Sequence, residues 1–227
     1  MTTRVVVLAA PSGGGKTTIA RELRTRLPAL FGYSVSATTR KARPGEQDGE
    51  AYHFLTRDEF LRRREAGEFL EWAPYAGELY GTLRHEVERV LASGKHALLD
   101  VEVQGARQVR QAYPSPASLI VFVIPPSPRV LIERLRRRRT ESEAELRKRI
   151  DIATQEVETA RRELATVYDR VLVNDDLDTA VNEVIELVRQ PDVARPAADG
   201  MANTLMSFVQ ELEREAEQLR YSTRRSR

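Results

Sequence analysis

The 227-residue sequence contains no cysteine. This excludes disulfide scaffolds, cysteine zinc sites, iron–sulfur clusters and thiol nucleophiles. Lysine is scarce. Of 36 basic residues only Lys16, Lys41, Lys95 and Lys148 are lysines, so a lysine inside a glycine-rich loop stands out. The three histidines, His53, His85 and His96, are scattered, which argues against a histidine metal site. None pairs with Ser and Asp in a hydrolase-like arrangement. The 36 basic residues face 34 acidic ones, leaving +2, and that small excess is weak support for a nucleic-acid partner. Long apolar runs are also missing. Val5–Ala10 and Leu119–Ile124 fall far short of the roughly 20 residues that span a bilayer. The first of these ends in a glycine turn rather than a cleavage site, so it reads as a buried strand, not a signal peptide. The expectation is a cytoplasmic protein with no membrane partner.

The chain instead has short β-branched runs alternating with helical patterns. Val5–Ala10, Tyr33–Ala37, Ala97–Val103, Leu119–Ile124 and Val171–Val173 read as strands of a sheet covered on both faces. Helices are expected to begin near Lys16, Thr82, Gln104, Ser127 and Leu177. This alternation predicts an α/β fold with a parallel sheet. Residues 40 to 82 break the rhythm. Tyr52–Leu55 and Phe69–Ala73 are short strands, and Thr56-Arg-Asp-Glu59 between them is a capping box opening a helix that ends at Gly67. A second capping box, Thr140-Glu-Ser-Glu143, precedes a long charged helix towards Ala165. After Gln190 the composition shifts to a Pro-, Ala- and Gly-containing linker. Residues 203 to 219 then place Leu205, Val209, Leu212, Ala216 and Leu219 on one helical face, before a basic end.

The first strand runs straight into Ala10-Pro11-Ser12-Gly13-Gly14-Gly15-Lys16-Thr17-Thr18, followed by a helical pattern. That is the strand–loop–helix context of a phosphate-binding loop. Small residues let successive backbone N–H groups curl around phosphate oxygens, and the helix N-terminus adds positive partial charge. Lys16 is placed to reach β- and γ-phosphates, and the Thr17 hydroxyl to bind Mg²⁺. One position departs from the usual GxxxxGK[ST] pattern: Ala10 stands where the first glycine is expected. A second cluster lies in FGYSVSATTRKARPGEQDGEAYHF, where Arg40 and Arg43 flank a Pro-Gly turn and Tyr52 follows. Arginine forks suit phosphate oxygens, but two arginines on a loop do not define a site by spacing alone.

Taken in order, APSGGGKTT, FGYSVSATTRKARPGEQDGEAYHF, FLEWAPYAGELYGT, LLDVEVQGARQVR, RTESEAELRKRI and VLVNDDLDTA resemble the guanylate kinase family over roughly residues 4 to 189. The resemblance implies a P-loop NTPase-type parallel core over residues 1–189. This would carry a small β-rich GMP-binding subdomain near 38–84 and a helical lid near 134–160, with a linker at 190–202 and a charged helix and basic tail at 203–227. By the same resemblance, Arg40, Arg43, Tyr52 and Tyr80 hold the GMP phosphate. Ser36, Glu71 and Thr82 contact guanine. Asp100 and Glu102 sit at a strand end near both phosphate sites, with Glu102 in place of the more usual Asp. Arg138 and Arg149 are lid arginines that close over ATP, and Asn174 lies where adenine is expected. Lys16, Arg40, Arg138 and Arg149 then form the catalytic set. The implied reaction is transfer of the γ-phosphoryl group of ATP to GMP or dGMP, with Mg²⁺, in a monomer or homodimer, as part of GTP and dGTP supply.

Such chemistry needs no general base. A phosphate monoester has a second pKa near about 6, so the acceptor oxygen is already largely deprotonated at neutral pH. The demand is to hold two polyanions and stabilise a loose in-line transfer, with closure excluding water. Two other readings compete. One is a non-catalytic module that binds phosphorylated peptides with the acceptor cluster. The intact Gly15-Lys16-Thr17 opposes it. The other is a P-loop kinase for a different phosphorylated acceptor, such as a ribose bisphosphate. Glu71 and Ser36 favour guanine instead.

Overall fold

The structure is a computed structural model that describes residues 2–75, 77–136, 143–190 and 198–225. The chain forms two compact units, one of the residues up to Leu8 with Ala20–Ile120, the other of Ala9–Ile19 with the chain from Val121 on. Five strands form one sheet in the order β2-β7-β1-β8-β9, and four form another in the order β4-β3-β6-β5. Eight helices accompany them among the described residues.

Strand β1 (Val5–Ala9) is apolar throughout and wholly buried, as expected for a strand covered on both faces. After α1 (Lys16–Arg26) the chain enters β2 (Phe31–Tyr33) and then β3 (Ser36–Thr38). The run Tyr33–Ala37, expected as one strand, is therefore split. Phe31–Tyr33 pairs parallel with His96–Leu98 in the larger sheet, and Ser36–Thr38 pairs in the smaller one. Ser34 and Val35 between them are buried too, and no Gly or Pro marks the break, so the run reads as one strand. In the smaller sheet, β4 (His53–Phe54) lies parallel to β3. Helix α2 (Arg57–Glu65) follows its capping box as expected, Thr56 Oγ1 accepting from the Glu59 N–H at 3.2 Å.

Strand β5 (Phe69–Tyr75) turns back into β6 (Glu78–Leu83), which pairs with both β3 and β5. Thr82, expected at the start of a helix, lies in β6. Helix α3 (Arg84–Ala92) begins after it. In β6, Leu79 and Leu83 face inward at strand period while Gly81 carries no side chain, so the alternation is too weak to read from sequence. Leu79 and Leu83 join Ala37, Phe60 and Phe69 in an apolar cluster, in which Phe60 stacks on Phe69 at 4.3 Å between ring centroids. Strand β7 (His96–Val101) is followed by α4 (Val103–Ala112) and by β8 (Ser118–Ile124).

In the second unit, β8 residues Val121–Ile124 pair in parallel with β9 (Arg170–Val173). Between these strands lie α5 (Pro128–Arg136) and α6 (Glu143–Arg162). The capping box at Thr140 lies outside the described residues. Ile150, Ala153, Val157 and Ala160 form the buried stripe of α6. Helix α7 (Leu177–Arg189) is capped by Asp176, whose Oδ1 accepts from the Thr179 N–H at 2.8 Å. Helix α8 (Ala198–Arg225) begins inside the segment read as linker, of which residues 191–197 lie outside the described residues. Its leading Ala198 and Gly200 gave a linker-like composition, and the apolar stripe begins at Met201, one turn before Leu205. Helix α8 packs on α5 and α6, burying Met201, Leu205, Phe208, Val209 and Leu212.

Removing the chain after Gln190 should therefore lower stability. A fully buried apolar side chain contributes about 1.5–3 kcal/mol, an upper figure. The truncated protein is expected to unfold at a lower temperature and lower denaturant concentration than the full chain. Equal midpoints by circular dichroism would show that α8 adds nothing to the second unit.

Candidate functional site

The phosphate loop lies in the second unit. Its tight path is set by the Gly14 N–H donating to the Pro11 carbonyl at 2.8 Å and by Gly13 and Gly15 at φ +88° and +96°, a region that only glycine occupies cheaply. The N–H groups of Thr18 and Ile19 then donate to the Gly15 carbonyl, and α1 begins with Lys16 and Thr17 at its positive end. Ala10 is fully buried. A side-chain carbon on Gly14 would come within 2.7 Å of the Ala10 methyl. The extra methyl at position 10 fits because the residue facing it is bare.

Two expected residues from distant segments meet this loop. Arg149, on α6, donates from Nη2 to Ser12 Oγ at 3.0 Å. Asn174, 6% exposed, donates from Nδ2 to the Gly14 carbonyl at 3.1 Å. Its amide packs so closely that a side-chain carbon at Gly15 would lie 2.2 Å away. Two further residues were not anticipated. Glu156 Oε2 accepts from the Ser12 N–H at 3.1 Å, and Arg134 donates to the Gly14 and Asn174 carbonyls at 3.4 and 3.3 Å. Arg134 opens an arginine-rich stretch whose members look alike in sequence, and Glu156 is one of many carboxylates on a charged helix. Neither carried a distinguishing signal. Arg138 lies outside the described residues.

In the first unit the register of the smaller sheet does the assembling. Ser36 pairs with Thr82, and Thr82 pairs with Glu71, so the three form one rung across β3, β6 and β5. A register shift between Phe69 and Glu71 sets Glu71 opposite Thr82. Glu71 is 6% exposed and Thr82 1%. Burying a carboxylate is costly unless it is hydrogen-bonded, and the Thr82 hydroxyl donates to Glu71 Oε1 at 2.6 Å. Two rungs on, past the Ala37–Gly81 pair, Thr38 pairs with Tyr80.

Arg40, Tyr52 and Tyr80 gather beside that rung. The Arg40 guanidinium lies 5.4 Å over the Tyr52 ring, and the two tyrosine rings meet edge to face at 6.0 Å. Arg40 also forks onto Glu46, with both N–O distances 2.9 Å. The Arg43 N–H donates to the same carboxylate at 2.7 Å, while its own guanidinium is exposed. The Arg40 hydrogen bond, then that amide, hold Glu46 below the ordinary glutamate range. Its folded pKa is depressed, so the pair is present at neutral pH and lost as pH falls through that lowered value. Burial, then the nearby Asp100 and Tyr80, push the Tyr52 phenol up, so it keeps its proton and can donate it. The same carboxylate of Asp100 acts on Tyr33, whose phenol is raised mainly by burial. Glu102 is the N-cap residue of α4. Glu46 was missed in the sequence because a glutamate in a polar loop is ordinarily solvated.

A family model described as guanylate kinase matches residues 2–191. The curated guanylate kinase of Synechocystis sp. is 44% identical over 189 residues, covering 83% of this chain and 95% of its own. That of Rubrobacter xylanophilus is 46% identical over 187 residues, covering 82% and 94%. Among solved structures, guanylate kinase from Anaplasma phagocytophilum matches with a TM-score of 0.61 at 31% identity, covering 86% of this chain and 89% of its own. With the family's model matched over more than half its length and relatives this similar, the chain belongs to the guanylate kinase family.

Proposed function

We propose that the rung of Ser36, Thr82 and Glu71 reads the guanine base, that Arg40, Arg43, Tyr52 and Tyr80 hold the phosphate of GMP or dGMP, and that the loop Ala10–Thr18 holds the phosphates of ATP. As a member of its family the chain phosphorylates GMP to GDP with ATP as donor. The observation that supports the base assignment most strongly is the buried Glu71 carboxylate. Guanine offers N1–H and N2–H₂ side by side, and one carboxylate accepts from both. Adenine has a lone pair at N1 and no 2-amino group, so it would set an acceptor against an acceptor. A hydroxyl has one proton, and that of Thr82 is spent on Glu71. Thr82 therefore orients the carboxylate rather than donating to O6, and Ser36 on the same rung is the hydroxyl assigned to O6.

On the acceptor side, the arginine and phenol donors neutralise the GMP phosphate and leave one of its oxygens as nucleophile. The Tyr52 phenol, raised by burial and then by Asp100, carries its proton at neutral pH and can donate it. On the donor side, Lys16 and the loop amides stabilise the charge that shifts towards the leaving oxygen. Arg149 holds Ser12 of the loop and is assigned to the phosphate chain, with Arg138 as the second lid arginine. Asn174 shapes the loop through Gly14 and is assigned to the adenine side. Mg²⁺ takes hard oxygen ligands and keeps several waters, so one hydroxyl and the ATP phosphate oxygens satisfy it. Thr17, exposed on the first turn of α1, fits that role. When bound, the ion neutralises charge on the β- and γ-phosphates. Asp100 and Glu102 are assigned to water and substrate contacts near the phosphates.

Lys16→Ala is expected to lower kcat by about 10²–10³ with an unchanged unfolding temperature, measured by ADP release and by calorimetry. Near-normal turnover would remove Lys16 from the catalytic set. Thr17→Ala should raise the Mg²⁺ concentration needed for half-maximal rate, read from a metal titration at saturating ATP and GMP.

Glu71→Gln is expected to lower kcat/KM for GMP at least about tenfold, because sites built to hydrogen-bond a substrate discriminate by as much as 10⁴–10⁵. The KM for ATP should not change. A coupled assay across GMP, AMP, CMP, UMP and a ribose phosphate tests the base assignment and the acceptor class together. Unchanged kcat/KM for GMP in the variant means that guanine is read elsewhere.

A further inference from the structure

We infer that Gly105 and Gln108 of α4 are positioning residues for Glu71, setting the carboxylate that discriminates the base. This rests on the reading of Glu71 as the guanine-binding residue. The two lie three residues apart on one face of the helix. Both reach strand β5, the edge strand of the four-stranded sheet.

Gln108 works on the backbone next to Glu71. Its Oε1 accepts from the Trp72 N–H at 3.2 Å, and its Nε2 donates to the Trp72 carbonyl at 2.9 Å. A single side-chain amide thus does what a neighbouring strand would do, pairing both polar groups of one edge residue. The peptide that follows Glu71 is thereby fixed to α4. Rotation of that peptide would swing the carboxylate out of line with Thr82.

Gly105 works on the carboxylate itself. It is buried in the first turns of α4. Nothing in its backbone demands glycine, because it is not among the residues with positive φ. Inside a helix, glycine is less favourable than alanine. The reason for it is space. A side-chain carbon there would lie 2.4 Å from Glu71 Oε2 and 3.0 Å from its Cδ, with Val101 Cβ at 3.2 Å. The carboxylate is therefore held between the Thr82 hydroxyl on one oxygen and the bare Cα of α4 beside the other. An alanine would meet mainly the far end of a side chain, which can move. The fold would survive, and the carboxylate would leave its place.

Gly105→Ala should still fold cooperatively, with any fall in unfolding temperature limited to the cost of moving the Glu71 side chain. It should raise KM for GMP on the order of 10- to 100-fold, the scale of a misplacement of about 1 Å, with KM for ATP unchanged. Gln108→Met keeps the length and removes both hydrogen bonds, and should raise KM for GMP in the same way. In a Glu71→Gln background neither change should add more than about twofold, because residues acting through one group are not additive. Steady-state kinetics with varied GMP and varied ATP read all of this, alongside thermal unfolding. Should Gly105→Ala fail to fold, Gln108→Met carries the same test. If Glu71→Gln raises KM for GMP while the α4 variants leave it unchanged, or add their full effect in the Glu71→Gln background, the positioning role is overturned and the base assignment stands. If Glu71→Gln itself has no effect, both are overturned.

Discussion

A carboxylate buried in a small sheet tolerates little error in position. Glu71 is nearly inaccessible, and desolvation makes every misaligned partner expensive. The hydrogen bond from Thr82 holds one of its oxygens, and that bond exists only because the register of β5 on β6 sets the two residues opposite each other. The aromatic pair Phe60 and Phe69 beneath the sheet, the pairing of Ser36 with Thr82, and the clasp of Gln108 on Trp72 all preserve this register. The first unit is organised to place one acidic group among fixed neighbours.

The phosphate loop follows a different logic. In the proposed assignment its ligand-facing groups are backbone amides, so its shape is its chemistry. Glycines make the path accessible without making it rigid. Rigidity comes from side chains that bond the outer carbonyls and the Ser12 amide, namely Asn174, Arg134 and Glu156. Several of the loop's polar backbone groups are in this way tied to side chains from later in the chain. The bare Gly14 also absorbs the methyl of Ala10, which keeps a departure from the usual motif from distorting the loop.

In the arginine and tyrosine cluster proposed to hold a phosphate, an acidic residue organises the donors. Glu46 forks onto Arg40 and takes the Arg43 amide, which fixes the loop that presents both arginines. Burial, and after it Asp100, raise the Tyr52 phenol, which carries its proton at neutral pH in any case. Glu46 sets the geometry of the loop that carries the two arginines.

The sequence by itself determined the strand–loop–helix at Val5–Arg26, the capped helix at Thr56, the buried central strands and the family, because these depend on short-range patterns and on residue types with few alternatives. It also placed Ser36, Glu71 and Thr82 in one class of residues, but through resemblance, without telling how they meet. Tertiary structure alone decided that Tyr33 and Ser36 belong to different sheets, and that Thr82 lies in a strand rather than opening a helix. It also decided that Met201 through Leu212 cover α5 and α6, and that Glu46, Arg134, Glu156, Gly105 and Gln108 touch the groups that matter. These are long-range choices. A glutamate in a loop, a glutamine on a helix or a glycine within one has the same local signature wherever it faces, and only packing assigns it a partner.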